Sequence, residues 1–350
     1  MSCHNRRVGL RKLSATNAFV VTDLEDVPSF GIVRSAPKIL QGGAKDLARS
    51  MTYTFASFEM QRGGASAGIN AAPDERDEAI SNFVNEIVDD VSSGVLGLTA
   101  GKGIPPDSFQ RLYDVDARSA SRFEKFGKDN LETYLAGLGP VVSADHLEGI
   151  DGKTVAIEGF GEHGPAMITQ IRERGGKVIS LSTVSGSISA SSGFDETEIR
   201  ERWSDGGADF VKAVDGETEP AWKVFQSGAD ILFTGSKMGA VNHLTAEKLD
   251  IAALVPHQPI PFTARALAIL VRKDTKVFPD FISTAAPIFA AWSEGEDVPE
   301  IIQAASESII GALDEASESK DGLFLGACYR AEAFIATWQE EKLFGRPLAS

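Results

Sequence analysis

An α/β fold in two domains is what this sequence predicts, and three observations predict it. The chain has 350 residues, more than one ordinary hydrophobic core accommodates. From about residue 151, short apolar runs alternate with helical stretches. The runs fall at 155–157, 178–181, 210–211, 231–233, 252–255 and 277–278. Such alternation implies βαβ units around a parallel sheet. Before that point the pattern changes to paired strands and one long amphipathic helix.

Residues 18–34 predict two short strands around the Pro28-Ser29 turn, and a helix follows near 41–60. Residues 75–93 predict an amphipathic helix, with Ile80, Phe83, Val84, Ile87, Val88 and Val91 at helical spacing. Pro73 and Asp74 suit its start, and Gly94 suits its end. The 94–107 stretch is rich in Gly and Pro and predicts a loop. The tail from about 298 is mostly helical, with a break at Lys320-Asp321-Gly322. The predicted division is a first domain over 1–147 and a second over 148–325. No repeat with a period of 20 to 50 residues and no low-complexity segment is present.

Composition excludes several classes. The chain is 43% apolar and 24% charged, as soluble globular proteins are. No apolar run approaches the roughly 20 residues of a membrane span. The N-terminal MSCHNRRVGLRKLSA is basic but lacks an apolar stretch and a cleavage site, so no secretory signal is expected. The two cysteines, Cys3 and Cys328, are too few for a disulfide framework or a metal cluster. The expectation is a cytoplasmic protein without a metal. A net charge of −16 argues against nucleic acid as a partner, because phosphates would repel such a surface.

The chemistry-bearing motif lies at the start of the alternating region. Asp151-Gly152 makes a turn and 153–158 supplies a strand. Gly159-Phe160-Gly161-Glu162-His163-Gly164 follows, and then an apolar helical stretch over 165–174. A GxGxxG match has meaning in this strand–turn–helix context. The first glycine permits the tight turn, the second lets backbone approach a pyrophosphate, and the third lets helix and strand pack closely. The helix N-terminus attracts the phosphate charge, and Pro165 is tolerated in the first helical turn. The motif predicts a Rossmann-type, doubly wound domain that binds NAD or NADP. The alternative is a glycine-rich connection without a ligand. The expected binding set is Gly159, Gly161, Glu162, His163 and Gly164, with Ser182, Thr183, Thr234, Gly235 and Ser236 from later strand ends. An NAD site usually carries Asp or Glu about 20 residues past the glycines. Here Ser182-Thr183-Val184-Ser185 stands instead. No carboxylate there repels a 2′-phosphate and no adjacent arginine binds one, so the choice of cofactor stays open.

Several segments in order resemble the glutamate/leucine/phenylalanine/valine dehydrogenases, with the leucine dehydrogenase type nearest in length. Leu47-Ala48-Arg49-Ser50-Met51-Thr52-Tyr53 resembles the family's LARGMTY, and Gly63-Gly64-Ala65-Ser66-Ala67-Gly68-Ile69 resembles GGAKGGI. The turn GFGEHG stands for GFGNVG. Ser185-Gly186-Ser187-Ile188 with Gly193-Phe194-Asp195, Asp230-Ile231-Leu232, Phe278-Pro279-Asp280 and Asp321-Gly322 resemble further family segments. The resemblance implies an α/β N-terminal domain for substrate and oligomer contacts, a Rossmann domain, and a C-terminal helix over 326–350 that rejoins the first domain. It also implies a homo-oligomer, dimer or larger, acting on a small-molecule substrate.

The departures from the family pattern carry as much information. The lysine that binds the substrate carboxylate falls on Thr54, and the lysine that helps activate water falls on Ser66. The proton-transferring aspartate falls on Gly101 or Lys102. Hydroxyls have neither the charge nor the pKa for those tasks. Lys102 is a candidate base or Schiff-base former, with a solvated loop lysine as the alternative. Arg62 is a candidate anion binder, with a surface ion pair as the alternative. His163 either approaches the dinucleotide or stacks on its helix. His257 and Gln258 lie where the family has an asparagine near the cofactor, Asp280 is read as a strand-end anchor, and Cys328 as core. Three functions follow. The first is an NAD(P)-dependent oxidoreductase with a divergent active site, acting on something other than a standard α-amino acid. The others are a catalytically inactive nucleotide-binding homologue and an amino-acid dehydrogenase with relocated groups.

Overall fold

The computed structural model describes residues 9–212, 218–340, 343 and 345–349. The stretch around Cys3 and parts of the 326–350 tail lie outside the described residues. The chain divides into two compact units, Met1–Ser119 with Arg330–Pro347, and Ala120–Tyr329 with Leu348–Ser350.

The first unit is built on a five-stranded sheet. Its strands are β1 (Gly9–Lys12), β2 (Ala18–Thr22), β3 (Ser29–Ala36), β4 (Gly63–Asn70) and β5 (Leu96–Ala100). They run in the order β1-β2-β4-β3-β5. β3, β4 and β5 are parallel, and β2 is antiparallel to β1 and β4. α1 (Gln41–Ser57) connects β3 to β4, and α2 (Arg76–Ser92) connects β4 to β5, with the short α3 (Gln110–Tyr113) beyond. The twofold alternation of the strands sends Ala65, Ala67 and Ile69 toward Ile80, Phe83 and Ile87 of α2. Phe19 and Val21 bury against Ala44 and Ala48 of α1 on the other face. α1 seats so close that a Cβ on Gly64 would lie 1.8 Å from the Ala48 carbonyl oxygen. The Gly64 N–H donates to Thr52 Oγ1 at 2.9 Å instead.

Polar contacts tie the C-terminal segment into this unit. The Tyr53 hydroxyl donates to Glu332 at 3.0 Å, and Arg346 Nε donates to the same carboxylate at 2.7 Å. Arg49 Nε bonds both carboxylate oxygens of Asp23, and its Nη1 donates to the Gly345 carbonyl at 2.6 Å.

The second unit opens with a small hairpin, β6 (Lys125–Phe126) and β7 (Asp129–Asn130), and the helix α4 (Leu131–Glu148). Six strands follow: β8 (Thr154–Glu158), β9 (Lys177–Thr183), β10 (Gly186–Ser189), β11 (Ile231–Thr234), β12 (Ala253–Pro256) and β13 (Lys276–Val277). Their order is β10-β9-β8-β11-β12-β13, parallel except for β10. The helices are α5 (Gly164–Glu173), α6 (Glu196–Gly206), α7 (His243–Lys248), α8 (Ala264–Arg272), α9 (Asp280–Ser283), α10 (Pro287–Ala291), α11 (Val298–Ser317) and α12 (Leu323–Ile335). β8 lies between β9 and β11, so strand order reverses at its carboxyl end. That reversal is the crevice where open α/β sheets take ligands.

Four expectations change in the structure. The segment read as a loop over 94–107 contains β5, because pairing with β3 from Ser29↔Leu96 to Val33↔Ala100 outweighs local composition. Gly97 is needed there, since a Cβ would fall 2.2 Å from the Phe30 ring. Phe210 and Val211, read as strand, lie in the 3₁₀ helix Gly207–Lys212. The division expected at 147/148 falls at 119/120, because α4 packs with α5, α10 and α11 of the second unit. Gly137 and Gly139 permit that approach, with Cβ positions 2.9 Å from Ala166 Cβ and 2.5 Å from the Ser283 carbonyl oxygen. The rejoining C-terminal segment begins at 330, inside α12, where 326 was expected. Among the described residues no helix is long and apolar enough to cross a membrane.

Gly64→Ala forces α1 off β4 and should destabilise the first unit by about 1–3 kcal/mol or more. Urea unfolding checks this, and a midpoint equal to the parent protein would contradict the close seating of α1.

Candidate dinucleotide site

β8 ends in Glu158, and the chain then turns sharply through Gly159, whose φ is +84°. Only glycine fits, since a Cβ would lie 2.4 Å from the Ser236 nitrogen. Gly161 is different: a Cβ there meets only the Gly159 carbonyl oxygen, at 3.7 Å. At Gly164 a Cβ would press 2.8 Å from the Phe160 ring, so that glycine serves packing of α5 on the turn. The Phe160 ring is buried against Trp203 and Phe210, each with its centroid 5.4 Å away. Gly159 N–H donates to Ser182 Oγ at 3.3 Å and Phe160 N–H to the Ser182 carbonyl at 2.7 Å, binding the turn to the end of β9.

The backbone N–H groups of Gly161, Glu162 and His163 find no acceptor among the described residues. They stand at the amino end of α5, where the helix dipole adds partial positive charge. This arrangement suits an anion. Glu162 is exposed and His163 is buried.

Beneath the turn lies a buried polar network that sequence reasoning did not assemble. Glu158 Oε2 accepts from Thr234 Oγ1 at 2.9 Å, from Gly235 N–H at 3.0 Å and from Ser236 N–H at 3.1 Å. The 234–236 segment is thereby held by a carboxylate. His257 Nε2 lies 2.8 Å from the Glu158 carbonyl oxygen, and His163 Nε2 lies 2.9 Å from His257 Nδ1. A carbonyl only accepts, so His257 carries its proton on Nε2 and Nδ1 is the acceptor. His163 must then donate from its own Nε2. Burial pushes the His163 pKa down to about 3, helped by the neighbouring His257, and burial lowers that of His257 too. The His163 ring is therefore neutral across the physiological range, and burial disfavours the charged form of His257. His163 bonds beneath the turn, its ring meeting His257 edge-on at 66°. The carboxylate at the end of an apolar strand was a visible sign of this network in the sequence, beside the two histidines.

Ser182 and Thr183 are buried at the carboxyl end of β9, and Thr183 Oγ1 donates to the Ala208 carbonyl at 2.7 Å. Thr234 ends β11, and Gly235 and Ser236 follow it beside the turn. The structure therefore gathers the whole expected dinucleotide set at one end of the second sheet. Asp280 Oδ2 accepts from the Ile260 N–H at 2.9 Å, anchoring the segment after β12. Cys328 is buried in α12. A cavity of about 260 Å³ lined by Val224, Ser227, Leu249 and Ile251 lies at the amino ends of β11 and β12, away from the turn. Among the described residues no group of three His, Cys, Asp or Glu is placed to hold a metal ion.

The first unit holds the other candidates. Thr54 is buried in α1 and its hydroxyl donates to the Ser50 carbonyl at 3.2 Å. Ser66 is buried at the middle of β4, and its hydroxyl has no hydrogen-bond partner among the described residues. Arg62 is half-buried just before β4, with its guanidinium 5.2 Å from the Phe30 ring centroid, and burial lowers its pKa. Lys102 is exposed just beyond β5. β4, β3 and β5 are parallel, with Gly63 level with Ser29 and Ala100 level with Val33. Arg62 and Lys102 thus sit at opposite ends of the sheet, roughly 20 Å apart at about 3.3 Å per residue. They are not brought together.

The neutral histidines give the fold a definite pH response. Folded His163 resists protonation until about pH 3, whereas an unfolded histidine takes a proton near 6.5. Its contribution is fully present above pH 6.5 and is lost as pH falls toward 3, by up to about 1.4 kcal/mol per pH unit. His163→Gln removes that titration, so between pH 7 and 5 it should lose less stability than the parent in urea unfolding. Equal losses in both proteins would refute the buried neutral pair.

Residues 138–297, which include the turn, match the family model described as Glutamate/Leucine/Phenylalanine/Valine dehydrogenase. An NADP-specific glutamate dehydrogenase of Saccharolobus shibatae is 24% identical over 286 residues, covering 76% of this chain and 67% of that protein. A glutamate dehydrogenase of Thermotoga maritima is 25% identical over 339 residues, covering 84% and 77%. Among solved structures, the hetero-hexameric glutamate dehydrogenase of Thermus thermophilus, in its Leu-bound form, superposes with a TM-score of 0.78. It is 19% identical, covering 94% of this chain and 86% of that one. In sequence and in fold, the chain is similar to the glutamate/leucine/phenylalanine/valine dehydrogenases.

Proposed function

We propose that the chain is an NAD(P)-dependent oxidoreductase whose substrate is not a standard α-amino acid. The observation that carries the first half is the turn at 159–164. Three unpaired N–H groups at the start of α5 stand beside Gly161, where a side chain would have open space. The N–H groups of Gly161, Glu162 and His163 would hold a pyrophosphate, and Ser182 and Thr183 would border the adenosine ribose. A bound nicotinamide supplies a hydride acceptor or donor. The chain itself supplies the rigid platform, with Glu158 and the two histidines fixing the strand ends around the turn.

The substrate half rests on what positions 54 and 66 offer. An α-amino acid brings a carboxylate, and burying it unpaired costs several kcal/mol. Thr54 spends its hydroxyl on Ser50, and Ser66 is a buried neutral hydroxyl. Lys102 and Arg62, at opposite sheet ends, do not converge on one small molecule, which weighs against relocated amino-acid chemistry. An alcohol, an aldehyde or an amine without the α-carboxylate fits better. The same uncharged pair also favours a second reading, a nucleotide-binding homologue without catalysis. Turnover on a panel of alcohols, aldehydes and amines decides between the two. The family relationship and the hetero-hexameric assembly of the Thermus protein support an oligomer, dimer or larger. A single 37.3 kDa species in sedimentation at micromolar concentration would contradict it.

Gly161→Val should fold, since its Cβ meets nothing closer than 3.7 Å, yet lose at least about tenfold in dinucleotide affinity, roughly 1.4 kcal/mol. Unchanged affinity in the folded variant would remove the binding site from this turn. Glutamate, leucine, phenylalanine and valine should give no reduction of either nicotinamide cofactor. Turnover above about 1 s⁻¹, the lower end of ordinary enzyme rates, would return the protein to amino-acid oxidation.

A further inference from the structure

We propose, on the basis of the nucleotide-binding function inferred above, that Asp209 selects NAD(H) over NADP(H). It does so from the 3₁₀ helix Gly207–Lys212, in place of the missing acid at the end of β9.

In doubly wound folds the adenosine ribose comes to the carboxyl end of the strand beside the glycine turn. Here that strand is β9, and Ser182 bonds directly to the turn through Gly159 and Phe160. A carboxylate at this place accepts from the ribose hydroxyls and repels a 2′-phosphate. β9 ends in Ser182-Thr183-Val184-Ser185 and has none. The fold brings one in from 24 residues further on. Ser185 Oγ donates to Asp209 Oδ1, and Ser185 N–H donates to Thr183 Oγ1 at 3.0 Å. Thr183 Oγ1 in turn donates to the Ala208 carbonyl at 2.7 Å. The 3₁₀ helix is thus stitched to the end of β9. Phe210, the next residue after Asp209, packs on Phe160 of the turn itself, a second and independent tether to the same site.

The carboxylate is also oriented. Ser185 and Lys212 both bind Oδ1, the lysine at 2.8 Å. Oδ2 has no hydrogen-bond partner among the described residues, and the Asp209 side chain is 65% exposed, so a hydroxyl group can reach it. A 2′-phosphate would have to detach Lys212 from Asp209 and then face the carboxylate. The arginines of α6 offer no ready alternative: Arg200 is paired with Asp129 and Glu196, and Arg202 with Glu198. The balance at this corner therefore favours the unphosphorylated ribose.

The test is titration of the full-length protein with NAD⁺ and with NADP⁺, for the parent, Asp209→Asn, Asp209→Ala and Lys212→Ala, with thermal melting to confirm folding. The parent should bind NAD⁺ at least about tenfold more tightly than NADP⁺. Both Asp209 variants should weaken NAD⁺ by about tenfold, the scale of one hydrogen bond to a charged group. They should also narrow the ratio between the two cofactors, whereas Lys212→Ala should keep or widen it. A parent that prefers NADP⁺, or an unchanged ratio in folded Asp209→Asn, would overturn the role of Asp209 and leave dinucleotide binding standing. A parent that binds neither dinucleotide would overturn both.

Discussion

Glu158 places a carboxylate at the point where the second sheet reverses its strand order, buried and holding three donors on one oxygen. A buried charge is tolerable only when its lone pairs are satisfied. Thr234, Gly235 and Ser236 can satisfy it only by folding back over the start of the glycine turn. The same residue's carbonyl accepts a hydrogen bond from His257, and His257 accepts one from His163. Three strand ends, β8, β11 and β12, are therefore cross-linked through one residue. The turn between β8 and α5 inherits its rigidity from that network, and so does the row of N–H groups at the amino end of α5.

Strain nearby is consistent with this view. Ile260, in the segment after β12, is buried with φ +53°. That conformation is an outlier for a β-branched residue and costs about 1–3 kcal/mol. Its N–H is held by Asp280 Oδ2, and its carbonyl accepts from Gly239 at 3.0 Å. The surrounding bonds enforce the backbone that the side chain resists. The strained residue lies only three positions past His257, close to the same strand end.

The first unit solves a different problem. Its sheet and α1 approach so closely that glycine occupies Gly64, and small or hydroxyl-bearing residues fill the helix face. Thr52 satisfies both the Gly64 N–H and the Ala48 carbonyl, and Thr54 satisfies Ser50. Such an interface is apolar and tightly filled. Charged contacts flank it, among them the Arg49–Asp23 pair and the Tyr53–Glu332–Arg346 cluster. Those contacts are structural, and they fasten the C-terminal segment to the unit.

Much of this was legible in the sequence, for identifiable reasons. The helices α1 and α2 and the strands β8, β9, β11 and β12 announce themselves because their periodicity is set by which face is buried. The turn at 159–164 is legible because only glycine tolerates its backbone at 159 and its packing at 164. β5 was hidden because its stability comes from β3, a partner distant in sequence. α4 was hidden because it is buried on nearly every side and shows little amphipathic contrast. Local pattern determined most of the elements, the order of the βαβ units and the candidate dinucleotide turn. Only the tertiary structure decided that Arg62 and Lys102 stand at opposite sheet ends, that Glu158 meets two histidines, and that Asp209 reaches the end of β9. Each of these depends on strand register or on a contact across many residues of chain, and neither is written in local spacing.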